Sequence, residues 1–326
     1  MKKLRVVQLG AEHDHASAAI ETLRKLDDFE LLGYSGEPFE HFSRFEGVPR
    51  YTAEQLLDMN PDAVVVEAFD LELAKYAEMA IDRGFPVYMD KQGGADHEAF
   101  VRTVRKAQAK NLVFHTGYMY RYNPAVQKIF EMVKDGSLGE IYSVEAHMDC
   151  LHSPKKRAWL SHFPGGEMFY LGCHLIDLIY RLQGEPLEVT PINAATGLDG
   201  VTAEDFAYCT FRYPNGVSFL KSCAAEPGGY ARRQLVVCGS KATVELKPFE
   251  IHDYKGGPQY TEMTVTTKED EAREGWRTRG RTEKLYADRY ENMFRGFAAM
   301  VRGERENPYD YDYEIKLHKL LMKCCK

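Results

Sequence analysis

Three short stretches hold the residues best suited to chemistry. Asp90-Lys91-Gln92-Gly93-Gly94 follows the apolar run at 86–89. A lysine at the mouth of a buried strand loses solvation, which lowers its pKa and suits it to shuttle a proton. A close carboxylate such as Asp90 opposes that shift. In Gly165-Gly166-Glu167-Met168-Phe169-Tyr170-Leu171-Gly172-Cys173-His174-Leu175-Ile176-Asp177, His174 comes four residues after Tyr170 and three before Asp177. On a helix that already includes Tyr170, phenol, imidazole and carboxylate share a face and can take a hydroxyl's proton or grip a polyol. The third stretch is Gly10-Ala11-Glu12-His13-Asp14-His15-Ala16. A dinucleotide-binding turn would put glycines at 10, 12 and 15, and only Gly10 is present. Glu12 would repel a pyrophosphate unless His13 and His15 offset it. Each stretch has a plainer alternative: a surface lysine, a helix start with a satisfied histidine, and a loop for some other ligand.

Ser35 stands where an acid commonly holds the adenosine ribose, and Glu37 could reach the ribose instead. Tyr118, Tyr120, Arg121, Tyr122 and Asn123 form a polar-aromatic cluster suited to sugar faces and hydroxyls, or to packing. Lys155, Lys156, Arg157 and Trp159 lie in a second polar stretch. His147, Asp149, His152, His162 and His174 invite a metal reading, but show no compact ligand motif, so no metal is expected. The seven cysteines include no C-x-x-C pair and read as free thiols of a reducing compartment.

These groups need elements to hold them. Strand-like runs at 4–9, 29–34, 63–66, 86–89 and 112–116 alternate with helical patterns at 17–26, 53–59, 71–83 and 97–110. That rhythm predicts a parallel, doubly wound α/β sheet, whose ligands bind beyond the carboxyl ends of the strands. After about residue 120 the texture changes to α+β, with an antiparallel sheet of five or six strands. Pro214-Asn215-Gly216 marks a hairpin, and the charged segment 268–284 is expected to be an exposed loop. The expected domains are therefore 1–120 and 121–326.

With 326 residues and 44% of them hydrophobic, the chain is neither disordered nor a single small core. A net charge of −7 gives no case for nucleic acid. No apolar stretch is long enough to span a membrane. The opening residues run into a strand-like segment without a signal-type apolar region, so a cytoplasmic protein is expected.

Four stretches together resemble the Gfo/Idh/MocA oxidoreductase family over nearly the whole chain. They are Asp62 through Gln92, Gly117-Tyr118-Met119-Tyr120-Arg121-Tyr122-Asn123-Pro124, Gly136-Ser137-Leu138-Gly139-Glu140-Ile141, and Gly165 through Asp177. The resemblance implies a Rossmann domain followed by an α+β domain with a large, open, mostly antiparallel sheet, commonly paired in homodimers or homotetramers. It implies NAD or NADP, with NAD slightly favoured, and a carbinol of a sugar or polyol as substrate. Lys91 matches the catalytic lysine, His174 the general acid/base and Asp177 a substrate-binding carboxylate. Tyr170 stands where many members have Asp. Tyr118, Arg121, Asn123 and Trp159 would meet substrate. Gly10, Ala11, Glu12, His13, His15, Ser35, Glu37, Ala68, Phe69, Asp70, Asp90 and Lys91 itself would line the cofactor. The family also implies one rival, a redox-neutral enzyme that cleaves glycosides through a transient keto-sugar; the broken glycine loop motivates another, a sugar-binding scaffold without cofactor.

Overall fold

The computed structural model describes residues 2–251, 259–274 and 280–326. Its contacts divide the chain into two units, 1–119 with 290–319, and 120–289 with 320–326. The division differs from the single expected boundary, because residues 290–319 group with the first unit.

The first unit is an α/β Rossmann-type domain. Its strands are β1 (Leu4–Leu9), β2 (Phe29–Tyr34), β3 (Ala63–Val66), β4 (Val87–Met89) and β5 (Phe114–Thr116). They pair in parallel in the order β2-β1-β3-β4-β5. Helices α1 (Ala16–Lys25), α2 (Ala53–Asp58), α3 (Leu73–Asp82) and α4 (His97–Ala109) alternate with them. Every residue of β3 and β4 is buried, which explains their unbroken apolar runs. Thr52 and Gln55 close a capping box at the start of α2, and Asp96 caps α4. The chain order reverses between β1 and β3, the switch point at which an open parallel sheet leaves a crevice.

The second unit opens with α5 (Pro124–Lys134), capped by Asn123. Its strands are β6 (Ile141–His147), β7 (Glu188–Ala194), β8 (Phe206–Tyr213), β9 (Gly216–Cys223), β10 (Gln234–Gly239), β11 (Ala242–Leu246), β12 (Tyr260–Thr267) and β13 (Arg281–Tyr286). They form one sheet in the order β13-β12-β11-β10-β6-β9-β8-β7, antiparallel except for β6 against β9. The helices are α6 (Pro154–Trp159), α7 (Cys173–Gln183), α8 (Gly229–Arg232) and α9 (Lys268–Glu274). The predicted hairpin forms, with Tyr213 opposite Gly216. The sheet is larger than expected because both edge strands, β7 and β13, are short of apolar signal. The charged segment 268–284 is not a plain loop. It contributes α9 and part of β13, and residues 275–279 lie outside the described residues.

The chain then returns to the first unit through α10 (Glu291–Val301) and α11 (Tyr311–Cys324) as far as residue 319, and residues 320–326 group with the second. Phe294 stacks on Tyr88 with ring centroids 4.8 Å apart and meets Phe29 edge-on at 6.2 Å. The seven cysteines are free thiols. Among the described residues no helix is long and apolar enough to cross a membrane.

His318 ties α11 to the core of the first unit. It stacks on Phe100 at 4.2 Å, its Nε2 lies 2.9 Å from the Gly94 carbonyl, and its Nδ1 faces His97 Nδ1 at 3.0 Å. Burial, with His97 adding to it, holds the His318 pKa down to about 4. The folded ring therefore stays neutral while the unfolded ring takes a proton below about 6.5. The unfolded state then binds more protons, so stability falls as pH drops from about 6.5 toward 4, by about 3 kcal/mol for this residue. Urea unfolding of the parent and His318→Gln across that range should show a shallower acid loss in the variant. Parallel curves would reject the assignment.

Candidate functional residues of the two units

The turn after β1 is built as a ligand-facing turn. Gly10 has φ +88°, and a Cβ there would lie 2.3 Å from the Ala68 Cα, so only glycine fits. The Gly10 N–H donates to Ser35 Oγ at 3.0 Å, which ties the buried Ser35 hydroxyl to the turn. Glu12 does not project from the loop. Its Oε2 accepts the Ala11 N–H at 2.9 Å and its Oε1 accepts the Glu37 N–H at 3.1 Å. The carboxylate thus holds two backbone donors of the kind that bind phosphate oxygens. The Glu37 side chain pairs with Arg50. Ala68 is fully buried, and Phe69 is half-buried beside it.

Beyond this turn, the ends of β1, β3 and β4 converge on His13. Its Nε2 lies 3.1 Å from Asp70 Oδ1, and its Nδ1 lies 3.1 Å from Asp90 Oδ2 and 3.3 Å from Asp14 Oδ1. Glu67 Oε2 stands 3.9 Å from the same Nδ1. The His15 backbone N–H is directed at that nitrogen at 3.0 Å, while the His15 ring places Nδ1 3.2 Å from Asp90 Oδ2. Burial alone would depress the His13 pKa, but Asp70 and Asp90 outweigh it and bring it up to about 10. Burial lowers His15 despite Asp90. It also raises Glu67 well above the usual carboxyl range, with Asp90 adding to the effect. Asp90 goes the other way, because His13 and His15 outweigh its burial. Lys91 is wholly buried at the end of β4, close enough to bear on Asp90 and Glu67. Sequence reasoning singled out every member of this cluster except Asp14 and Glu67. It read His13 and His15 as counter-charges for Glu12, whereas they face Asp70 and Asp90. Tyr118, at the end of this unit's first segment, is buried.

In the second unit His174 lies buried on α7, and the Tyr120 ring meets it edge-on at 5.0 Å. The Tyr120 hydroxyl bonds Glu250, and Arg289 Nη2 lies 3.2 Å from it. Burial and Glu250 push the Tyr120 pKa up, so it remains a neutral phenol. Glu250 also pairs with Arg233 at 3.5 Å and Arg289 at 2.8 Å. None of these three partners carried a sequence signal, since they come from distant loops.

Residues Met168–Gly172 form a π-helical turn before α7 begins. Gly166 anchors that turn: its φ is +45°, and a Cβ would lie 2.1 Å from the Glu204 carbonyl oxygen. Tyr170 packs against Trp159, with centroids 5.4 Å apart, and Phe163. The Lys156 ammonium sits 3.7 Å from the centre of the Trp159 ring and 4.6 Å from that of Tyr170. Asp177 is gripped by Arg121, whose Nε donates to Oδ2 at 3.0 Å and whose Nη2 donates to Oδ1 at 2.8 Å. Asn123 accepts from the Ala125 and Val126 amides and donates to Thr261 at 2.9 Å. Asp149 pairs with Lys221 at 3.1 Å, and the His147 ring lies beside Phe219. Among the described residues the groups considered for a metal do not gather into a ligand set. His13, His15 and Asp90 do, with ligand atoms within 4.8 Å of one another.

Residues 126–245 match the GFO/IDH/MocA C-terminal domain. An uncharacterized oxidoreductase of Schizosaccharomyces pombe is 26% identical over 165 residues, 49% of this chain and 45% of its own length. The 2,7-anhydro-N-acetylneuraminate hydratase of Escherichia coli is 23% identical over 170 residues, 49% of this chain and 44% of its own. This chain spans less than half the length of either relative. The solved UDP-N-acetylglucosamine 3-dehydrogenase of Acidithiobacillus ferrooxidans superposes with a TM-score of 0.78 at 18% identity, over 99% of this chain and 97% of that one, a likeness of fold.

Proposed function

We propose that the chain is a divergent member of the Gfo/Idh/MocA family, whose C-terminal domain model matches residues 126–245, and that it is an NAD(P)-dependent oxidoreductase acting on a carbinol of a sugar, polyol or sugar derivative. The observation that carries this reading is Lys91, wholly buried at the carboxyl end of a central parallel strand. The cofactor reading is supported by the turn at Gly10. Backbone donors there are directed at a carboxylate, so an anion is accepted at this place. When bound, the nicotinamide supplies a hydride acceptor or donor. Gly10 and Ala11 would receive the pyrophosphate, and Ser35 and Glu37 the ribose. Ala68, Phe69, Asp70 and Asp90 would wall the crevice.

Lys91 in the first unit and His174 in the second are each assigned a proton-holding role, a task that suits a buried amine and an imidazole. Tyr170 cannot bring the negative charge of an aspartate, and its phenol is suited to hydrogen-bond a hydroxyl. Trp159 offers a flat apolar face for a sugar ring. Arg121 fixes Asp177 one turn from His174, and Asn123 fixes the start of α5. Ile192, Val217 and Tyr286 are exposed on the open face of the second sheet, to which we assign homo-oligomer contacts.

A second reading returns the hydride to the product, with no net redox change. The stretch shared with the Escherichia coli hydratase favours it. Product analysis separates the two: NADH or NADPH accumulates in the first, and an eliminated or hydrated sugar without it in the second.

Glu12 supplies the test of the cofactor site. A bound pyrophosphate must displace its carboxylate from the Ala11 and Glu37 amides. Glu12→Gly should therefore tighten NAD(P) binding by roughly 10-fold, the scale of one hydrogen-bonded charge. Calorimetry on both proteins reads this directly. Weaker binding would make Glu12 a ligand of the cofactor rather than its competitor. Neither protein binding any nicotinamide nucleotide would overturn the oxidoreductase reading.

A further inference from the structure

The geometry points to a divalent transition-metal site formed by His13, His15 and Asp90, with Glu67 as a further carboxylate. Asp90 Oδ2 is its hub, 3.1 Å from His13 Nδ1 and 3.2 Å from His15 Nδ1. Two ligands each about 2.0–2.1 Å from one ion stand roughly 3 Å apart, so these spacings suit a shared cation. Two imidazoles and one carboxylate also suit zinc, iron or cobalt rather than magnesium or calcium, which prefer all-oxygen shells.

Two further observations set this group apart from a mere cluster of acids. Glu67 is buried, and its Oε2 has no hydrogen-bond partner while standing 3.9 Å from the His13 nitrogen. Leaving a buried carboxylate oxygen unmatched is costly, and a cation at the hub would satisfy it. His13 Nε2 is 3.1 Å from Asp70 Oδ1. A carboxylate on the far ring nitrogen is the usual outer support of a metal-binding histidine, because it holds the ring and its tautomer. Nδ1, which faces Asp90 Oδ2 at 3.1 Å and also meets the His15 backbone N–H at 3.0 Å, is then the nitrogen on the ion's side, and an ion there would take the place of that N–H. His13, His15 and Asp90 supply three ligands, and Glu67 faces the fourth position.

The four side chains belong to the ends of β1, β3 and β4. An ion there would be held by Asp90, the residue before Lys91 along the chain. Protein stripped with a chelator and titrated with Zn²⁺ or Co²⁺ alone should bind about one equivalent per chain. His15→Ala, at the partly exposed rim, should weaken that binding by roughly 100-fold or more, since losing an outer support alone costs 10–100-fold. Asp90→Asn, which keeps the side-chain shape, should do the same. The Co²⁺ visible spectrum should lose its imidazole-dependent bands in His15→Ala. Thermal unfolding of each variant checks that it is folded. No saturable binding of either ion, or equal binding by the parent and both folded variants, overturns the site. Neither readout involves nucleotide or turnover, so failure here leaves the cofactor reading standing, and the reverse.

Discussion

Lys91→Met should lower turnover by roughly 10²–10⁴-fold, the usual contribution of a positioned proton-transfer group. Methionine keeps much of the lysine's length and removes the ammonium, so the buried position is filled and only the charge and proton are lost. The variant should keep its unfolding temperature within a few degrees and still bind nucleotide. The measurement is steady-state kinetics with a carbinol identified by screening for NADH or NADPH formation, alongside thermal unfolding and calorimetry. Near-normal turnover would remove Lys91 from the chemistry. A large loss of nucleotide affinity would make it a binding group instead.

The second large effect is on stability. Arg121 and Asp177 are fully buried and hold each other through paired hydrogen bonds. Arg121→Met leaves an ionised carboxylate in the interior with its main counter-charge gone. The expected cost is roughly 3–5 kcal/mol, which in a unit of this size lowers the midpoint by on the order of 10 °C. Exchanging both partners, Arg121→Met with Asp177→Leu, should recover most of that loss, because neither charge is then stranded. Differential scanning calorimetry on the single and double variants decides the point. A single variant as stable as the parent would mean that other groups neutralise Asp177.

The same pair shows where sequence reasoning stops. Arg121 and Asp177 each drew attention for their chemistry, and their spacing of 56 residues said nothing of their contact. The central strands were legible because burial on both faces leaves unbroken apolar runs, as in Ala63–Val66. The edge strand β13 reads Arg-Thr-Glu-Lys-Leu-Tyr, with almost every side chain exposed, so its composition resembles a loop. The π-helical turn at Met168–Gly172 escaped a reading that assumed the 3.6-residue period throughout. The loop after β1 reads as unusual because Glu12 and His15 stand where glycines would. That the Glu12 carboxylate turns back onto the amides depends on Gly36 and Glu37, brought alongside by β2.

The split of the first unit around the second has a consequence for biosynthesis. Tyr88 and Phe29 wait for Phe294, and the Gly94 carbonyl waits for His318, until the last part of the chain has been translated. The usual order, in which an amino-terminal domain is finished while the ribosome is still making the next, is therefore closed to this protein. A fragment cut at residue 120 would leave the ribosome with its aromatic core half built.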